Sequence, residues 1–134
     1  MIQQTITLTT GLFEVTTPEP EFINPRCFGQ DFATWLADRL SEAGFDRPDP
    51  IAEDFGWALV VPFAGHHFTL AIGVMDDSIG AVPAEWSVTV AFEKPLNGIR
   101  SWFRKPPSDQ LLELARLVES VLTANPAIHD VRRE

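Results

Sequence analysis

The sequence predicts an α+β fold: a two-layer sandwich whose antiparallel sheet of about four to five strands carries two helices on one face. Three features point there. Residues 55–63, 66–75 and 86–93 each alternate large apolar side chains with small or polar ones, the period of a half-buried strand. The links between them are short, so neighbours pair antiparallel. Residues 29–43 and 108–124 repeat apolar side chains at helical spacing, one segment on either side of the three strands. The expected order is β-α-β-β-β-α with residues 128–133 as a tail or a final short strand. At 134 residues and 45% hydrophobic content, the chain suffices for one domain over 1–134 that buries roughly two-thirds of its unfolded surface.

Each element has its own signal. Residues 3–16 (QQTITLTTGLFEVT) are rich in Thr and β-branched residues around Gly11, which predicts a strand or a hairpin. Pro18, Pro20 and Pro25 keep the next segment extended and out of a central strand. Phe28, Phe32, Trp35, Leu36 and Leu40 mark one helix face, and Gly44 is placed to stop the helix. Residues 46–50 (DRPDP) form a turn-rich link. The inward strand faces are Phe55, Trp57, Leu59, Val61 and Phe63; then Phe68, Leu70, Ile72 and Val74; then Trp86, Val88, Val90 and Phe92. Ala64-Gly65 closes the first pair as a two-residue hairpin, which sets Trp57 opposite Ile72 and Ala58 opposite Ala71. Residues 94–107 are irregular and end in Pro106-Pro107. Ser108 reads as the N-cap of a second helix, with Asp109 in its first turn. Leu111, Leu112, Ala115, Val118, Val121 and Leu122 supply that helix's apolar face, and Asn125-Pro126 end it.

Composition narrows the function. The net charge of −9 is uneven: residues 1–54 hold ten acids against Arg26, Arg39 and Arg47, residues 55–93 hold four acids and no Lys or Arg, and residues 94–134 are net basic. Duplex nucleic-acid binding needs a basic face to displace counterions, and this balance points the other way. An acidic chain instead suits a basic protein partner. No apolar run approaches ~18 residues, and the N-terminus lacks a basic stretch followed by an apolar core. A membrane span and a cleaved leader are therefore not expected, and a cytoplasmic location is. The single cysteine, Cys27, cannot form an internal disulfide or supply a cysteine cluster for zinc. No nucleophile elbow, phosphate loop or dinucleotide fingerprint is present, so no cofactor is implied.

The sheet face opposite the core is unusual. It carries Gly56, Ala58 and Val60, then His67, Thr69, Ala71 and Gly73, then Glu85, Ser87, Thr89, Ala91 and Glu93. A solvated antiparallel face normally bears long polar side chains. Small residues admit something close to the backbone: the chain's own N-terminal segment, a second copy, or a ligand. If Ile72 faces Val88, His67 lies opposite Glu93, a pairing that favours the imidazolium. His66 and His67 point to opposite faces and cannot chelate one ion together. Glu53-Asp54 diverge likewise, Asp76-Asp77 lack the other acids of a calcium loop, and Cys27 has no sequence-near histidine.

Arg100, Trp102, Phe103, Arg104 and Lys105 interleave cations with aromatics ahead of two prolines, a composition enriched at binding hot spots. It suits an acidic partner, a phosphate or a single strand of nucleic acid; the plainer alternative is an aromatic cap on the core with outward cations. The run Glu53-Asp54-Phe55-Gly56-Trp57, followed by three strands, a helix and Asn125-Pro126-Ala127-Ile128, resembles small uncharacterised bacterial α+β proteins, some of them similar to immunity proteins. That resemblance implies a protein-binding role and carries over no catalytic residue. The expected function is a protein-binding module, immunity-like or chaperone-like, without catalysis. Its binding residues are Arg100, Trp102, Phe103, Arg104, Lys105, His67 and Glu93, with no metal. The alternative is a small-molecule-binding or metal-dependent enzyme built on the open face, using His67 with Glu53, Asp54 or Glu93. A homodimer that packs its small faces together is the third reading.

Overall fold

The two-residue loop Ala64-Gly65 sets the register of the sheet. Both residues have positive φ (53° and 80°), as a hairpin turn matching strand twist requires. A computed structural model of the chain describes residues 2–16, 28–92 and 106–134. In it the loop joins β3 (Gly56–Phe63) to β4 (His66–Val74), with Trp57 facing Ile72 and Ala58 facing Ala71 as the loop length predicts. β5 (Ala84–Phe92) follows with Ile72 facing Val88. β1 (Ile2–Thr10) lies along the far side of β5, and β6 (Ile128–Arg133) lies outside β1. A short β2 (Ile51–Glu53) flanks β3, giving one antiparallel sheet in the order β2-β3-β4-β5-β1-β6.

The helices α1 (Gln30–Glu42) and α2 (Ser108–Thr123) cover one face of this sheet. Their buried residues, among them Phe32, Leu36 and Leu40 from α1 and Leu114, Val118 and Leu122 from α2, join Ile6, Leu8, Leu59, Val61, Phe68, Leu70, Ile72, Trp86, Val88 and Val90 in one core. Its aromatic centre is Trp86, whose ring lies 5.2 Å from Phe32, while Phe13 stacks on Phe32 at 4.3 Å.

The α+β sandwich stands, with corrections. The sheet has six strands rather than four to five; β2 is three residues long and too short to show alternation. Residues 2–10 are one strand rather than a hairpin, with Gly11 just beyond its end. Ser108 is the first residue of α2 and not its cap; Pro107 occupies the cap position, and the Ser108 hydroxyl donates to the Pro106 carbonyl at 3.4 Å. Gly44 does end α1: its φ is +100°, and its N–H donates to the Ser41 carbonyl. Phe55 does not point inward, for a reason given below.

The prolines of 46–50 have a positional role. Phe45 stacks on Phe63 at 5.9 Å, and six residues later Ile51 pairs with Ala58. The segment between therefore runs along the outer flank of β3. Pro48, which is buried, and Pro50 have no N–H to offer a ladder, so this flank is closed without adding a strand. Arg47 ties the segment to α1 through a 2.8 Å bond to Asp38 and a longer contact to Asp49. The Asp38 hydrogen bond raises the Arg47 guanidinium above its ordinary value against a small opposing desolvation.

At the other side of the sheet Thr10 is fully buried, and its hydroxyl donates to the Ala127 carbonyl at 2.8 Å while accepting the Leu12 N–H at 3.2 Å. This one side chain fastens the end of β1 to the start of β6. Thr10→Val keeps the shape and orphans both partners, so a loss of about 1–3 kcal/mol is expected in denaturant unfolding.

Candidate functional site

Several loops at one end of the sheet share a character that sequence reading missed. This end gathers the β2–β3 turn, the end of β4, the start of β5 and the exit from β1. Glu53 pairs with Gly56, so Asp54-Phe55 is itself a two-residue turn. Gly56 has φ +148°, and a Cβ there would lie 2.4 Å from the Ile72 carbonyl oxygen. The chain thus turns back at Phe55 instead of continuing the inward alternation of Trp57, Leu59 and Val61, and the Phe55 ring is 52% exposed. This corrects the inward placement.

The connection from β4 to β5 is stitched down. The Met75 N–H donates to the Glu85 carbonyl at 2.9 Å, and the Glu85 N–H donates to the Ser78 hydroxyl at 3.1 Å. Asp76–Ser78 form a single 3-10 turn, consistent with a plain turn rather than a calcium loop. The Gly80 N–H donates to the Val15 carbonyl at 2.9 Å, and Val82 lies over Gly11, where a Cβ would sit 3.2 Å from its methyl. Asp31, in the first turn of α1, accepts the Glu14 N–H at 2.8 Å, so the stretch after β1 is held as well. The loops are held by hydrogen bonds to their backbone N–H groups, while Phe13 and Val15 turn into the core and other side chains face outward.

What they present is apolar and acidic together. Leu12 is 46% exposed, Met75 37% and Val82 68%. With Phe55 they are four of the seven large apolar side chains exposed among the described residues. Asp54, Asp76, Asp77 and Glu85 stand among them, and residues 9–16, 51–56 and 73–86 contain no Lys or Arg. With strands spaced ~4.8 Å apart, the Phe55 turn and Leu12 are about 15 Å apart, three spacings from β3 to β1. Large apolar side chains exposed together over such a span are the kind of feature that marks contact surfaces in general. The sequence held one signal, the absence of any cation across 55–93, but not the turn that exposes Phe55.

The open sheet face is confirmed as small and uncharged at its centre. One row across it reads Ile51, Ala58, Ala71, Thr89, Thr5; the next reads Glu53, Gly56, Gly73, Ser87, Thr7, Arg132; a third reads Val60, Thr69, Ala91, Gln3. Thr5 and Thr89 share a hydroxyl hydrogen bond of 3.1 Å across their strands. Both described helices lie on the other face.

Of the predicted binding residues only His67 lies among the described residues. His67 is exposed at the opposite end of the face, across from Pro62. Glu53 pairs with Gly56, six residues along β3 from Pro62, so about 20 Å separates His67 from Glu53 and Asp54. The structure does not bring these groups together. Glu93, Arg100, Trp102, Phe103, Arg104 and Lys105 lie outside the described residues, as does Cys27. Among the described residues no three His, Cys, Asp or Glu side chains come close enough to hold a metal. An open cleft of about 540 Å³ lies on the helical side of the β3–β4 hairpin, lined by Leu40, Phe45, Asp46, Phe63, Leu117 and Val121. No helix of the described residues is long and apolar enough to cross a membrane. No protein-family model, curated protein or solved structure matches the chain.

Proposed function

We propose that the chain is a cytoplasmic protein-binding module, immunity-like or chaperone-like in mode, with no chemistry of its own. It docks a basic protein through the acidic, apolar end of its sheet. The observation that carries this reading is the convergence there of Leu12, Phe55, Met75 and Val82 with Asp54, Asp76, Asp77 and Glu85, on loops whose backbones are already hydrogen-bonded. Apolar side chains held out by a rigid frame lose little entropy on contact, so burying them in a partner is favourable. Carboxylates around them steer a cationic surface into register and speed its approach. The basic-aromatic stretch 100–105 is the second candidate contact.

The test is affinity capture from the source organism with three baits: the unaltered chain, Phe55→Ala/Val82→Ala, and Asp76→Lys/Asp77→Lys. A stoichiometric basic companion that the altered baits retain at a tenth or less is the expected result. The charge reversal should act mainly on the association rate, and the apolar truncation on the dissociation rate. Undiminished capture by both altered baits overturns the assignment of this surface. Loss only in an Arg100→Ala/Trp102→Ala bait moves the interface to 100–105.

A further inference from the structure

We infer that two copies of the chain pair through their open sheet faces, with the two-fold axis running along the strands between β4 and β5. The acidic end is a separate surface, and this inference rests on the face alone. The middle of the sheet order β2-β3-β4-β5-β1-β6 falls between β4 and β5. Rotation about an axis along the strands there lays β2 of one copy over β6 of the other and keeps every row in line. Ala71 then meets Thr89 of the partner copy, Gly73 meets Ser87 and Thr69 meets Ala91, while Ala58 and Gly56 are already buried within each copy. Each contact sets small against small, which lets two twisted sheets approach to the ~10 Å of an aligned sandwich.

The charges of the face fit the same operation. Glu53 stands at the β2 side and Arg132 at the β6 side of one row, since Glu53 pairs with Gly56, Gly56 shares a row with Gly73, Ser87 and Thr7, and Thr7 pairs with Arg132. Neither side chain has an ion-pair partner among the described residues. The rotation places each Glu53 over the partner copy's Arg132, twice per dimer, at the margins of an uncharged centre. His67 and Glu85 fall at the two ends of the strands, outside these rows. The three rows, of five, six and four residues, span roughly 25 by 20 Å, about 500 Å² per copy, which meets the ~1,000 Å² total that is the lower bound for a specific interface. Exposed Ile51 and Val60 lie on this face and gain cover by the pairing.

The experiment is sedimentation equilibrium of the full chain and three variants over low to high micromolar concentration, with circular dichroism to show that each is folded. The unaltered chain is expected to dimerise. Glu53→Arg and Arg132→Glu each replace two attractions with two repulsions and should weaken the dimer about tenfold or more. The double variant Glu53→Arg/Arg132→Glu re-creates both pairs in reverse and should recover the original association. A monomer at high micromolar concentration overturns the proposal. So does a dimer indifferent to both single reversals, or one the double variant fails to restore.

Discussion

Trp86→Ala is expected to cost about 3–5 kcal/mol of stability, the largest loss from any single truncation in this fold. Trp86 is fully buried on β5, with its ring 5.2 Å from Phe32 and 5.9 Å from Phe13, and it also backs Gly29 at the entrance to α1. Its removal leaves a cavity that the surrounding strands cannot close, because β5 is hydrogen-bonded on both sides, to β4 and to β1. A domain of this size has about 5–15 kcal/mol in all, so the loss removes a substantial fraction of the total. Urea unfolding followed by circular dichroism measures the loss directly. Trp86→Phe is the informative control. The indole Nε1 is buried and has no hydrogen-bond partner, so Phe removes an unsatisfied donor along with some volume. Its cost should be less than half that of Ala. Equal losses for Phe and Ala would mean that a phenyl ring recovers none of the packing made by the indole.

The sheet was legible where the physics is local. Alternation across 56–74 and 84–92 fixes which side chains face the core, and the Ala64-Gly65 loop fixes the register, because a two-residue turn leaves no freedom to slip. What could not be read were features set by contacts distant in sequence. β1 joins the sheet between β5 and β6 rather than beside its sequence neighbours, since its place depends on pairings with segments distant in sequence. β2 exists only because the 46–50 segment delivers Ile51 to Ala58. The candidate surface was least legible of all. His67 and Glu53 share a sheet face and looked like partners, but strand length keeps them at opposite ends of it. Phe55 has the right parity for the core but falls in the Asp54-Phe55 turn, which closes at Gly56 where the backbone runs in close contact with Ile72, and no periodicity encodes that.

That contact gives the second large effect. Gly56→Ala is expected to cost about 2–6 kcal/mol, from two causes that add. At φ +148° the backbone is in a region open essentially to glycine alone, worth about 1–3 kcal/mol of strain for any other residue. The new methyl would also stand 2.4 Å from the Ile72 carbonyl oxygen and 3.3 Å from that of Phe28. Ile72 is locked between Trp57 and Val88 in the middle of the sheet, so relief must come from β3 moving outward, at the cost of an overpacked core, about 1–3 kcal/mol. Gly65→Ala provides the contrast. It too has positive φ, at +80°, but nothing lies within 4 Å of the added carbon, so only the intrinsic penalty of about 1–2 kcal/mol applies. The two variants share a chemical change and differ in surroundings, and thermal unfolding should separate them clearly. Similar midpoints would mean that the Ile72 carbonyl yields and that Gly56 is chosen for its backbone angles alone. Gly56→Ala carries a functional consequence that Gly65→Ala lacks: moving β3 displaces the Asp54-Phe55 turn from Met75 and Asp76. At a temperature where both variants remain folded, partner capture should fall for Gly56→Ala and hold for Gly65→Ala, because only the former disturbs the frame that holds Phe55 outward.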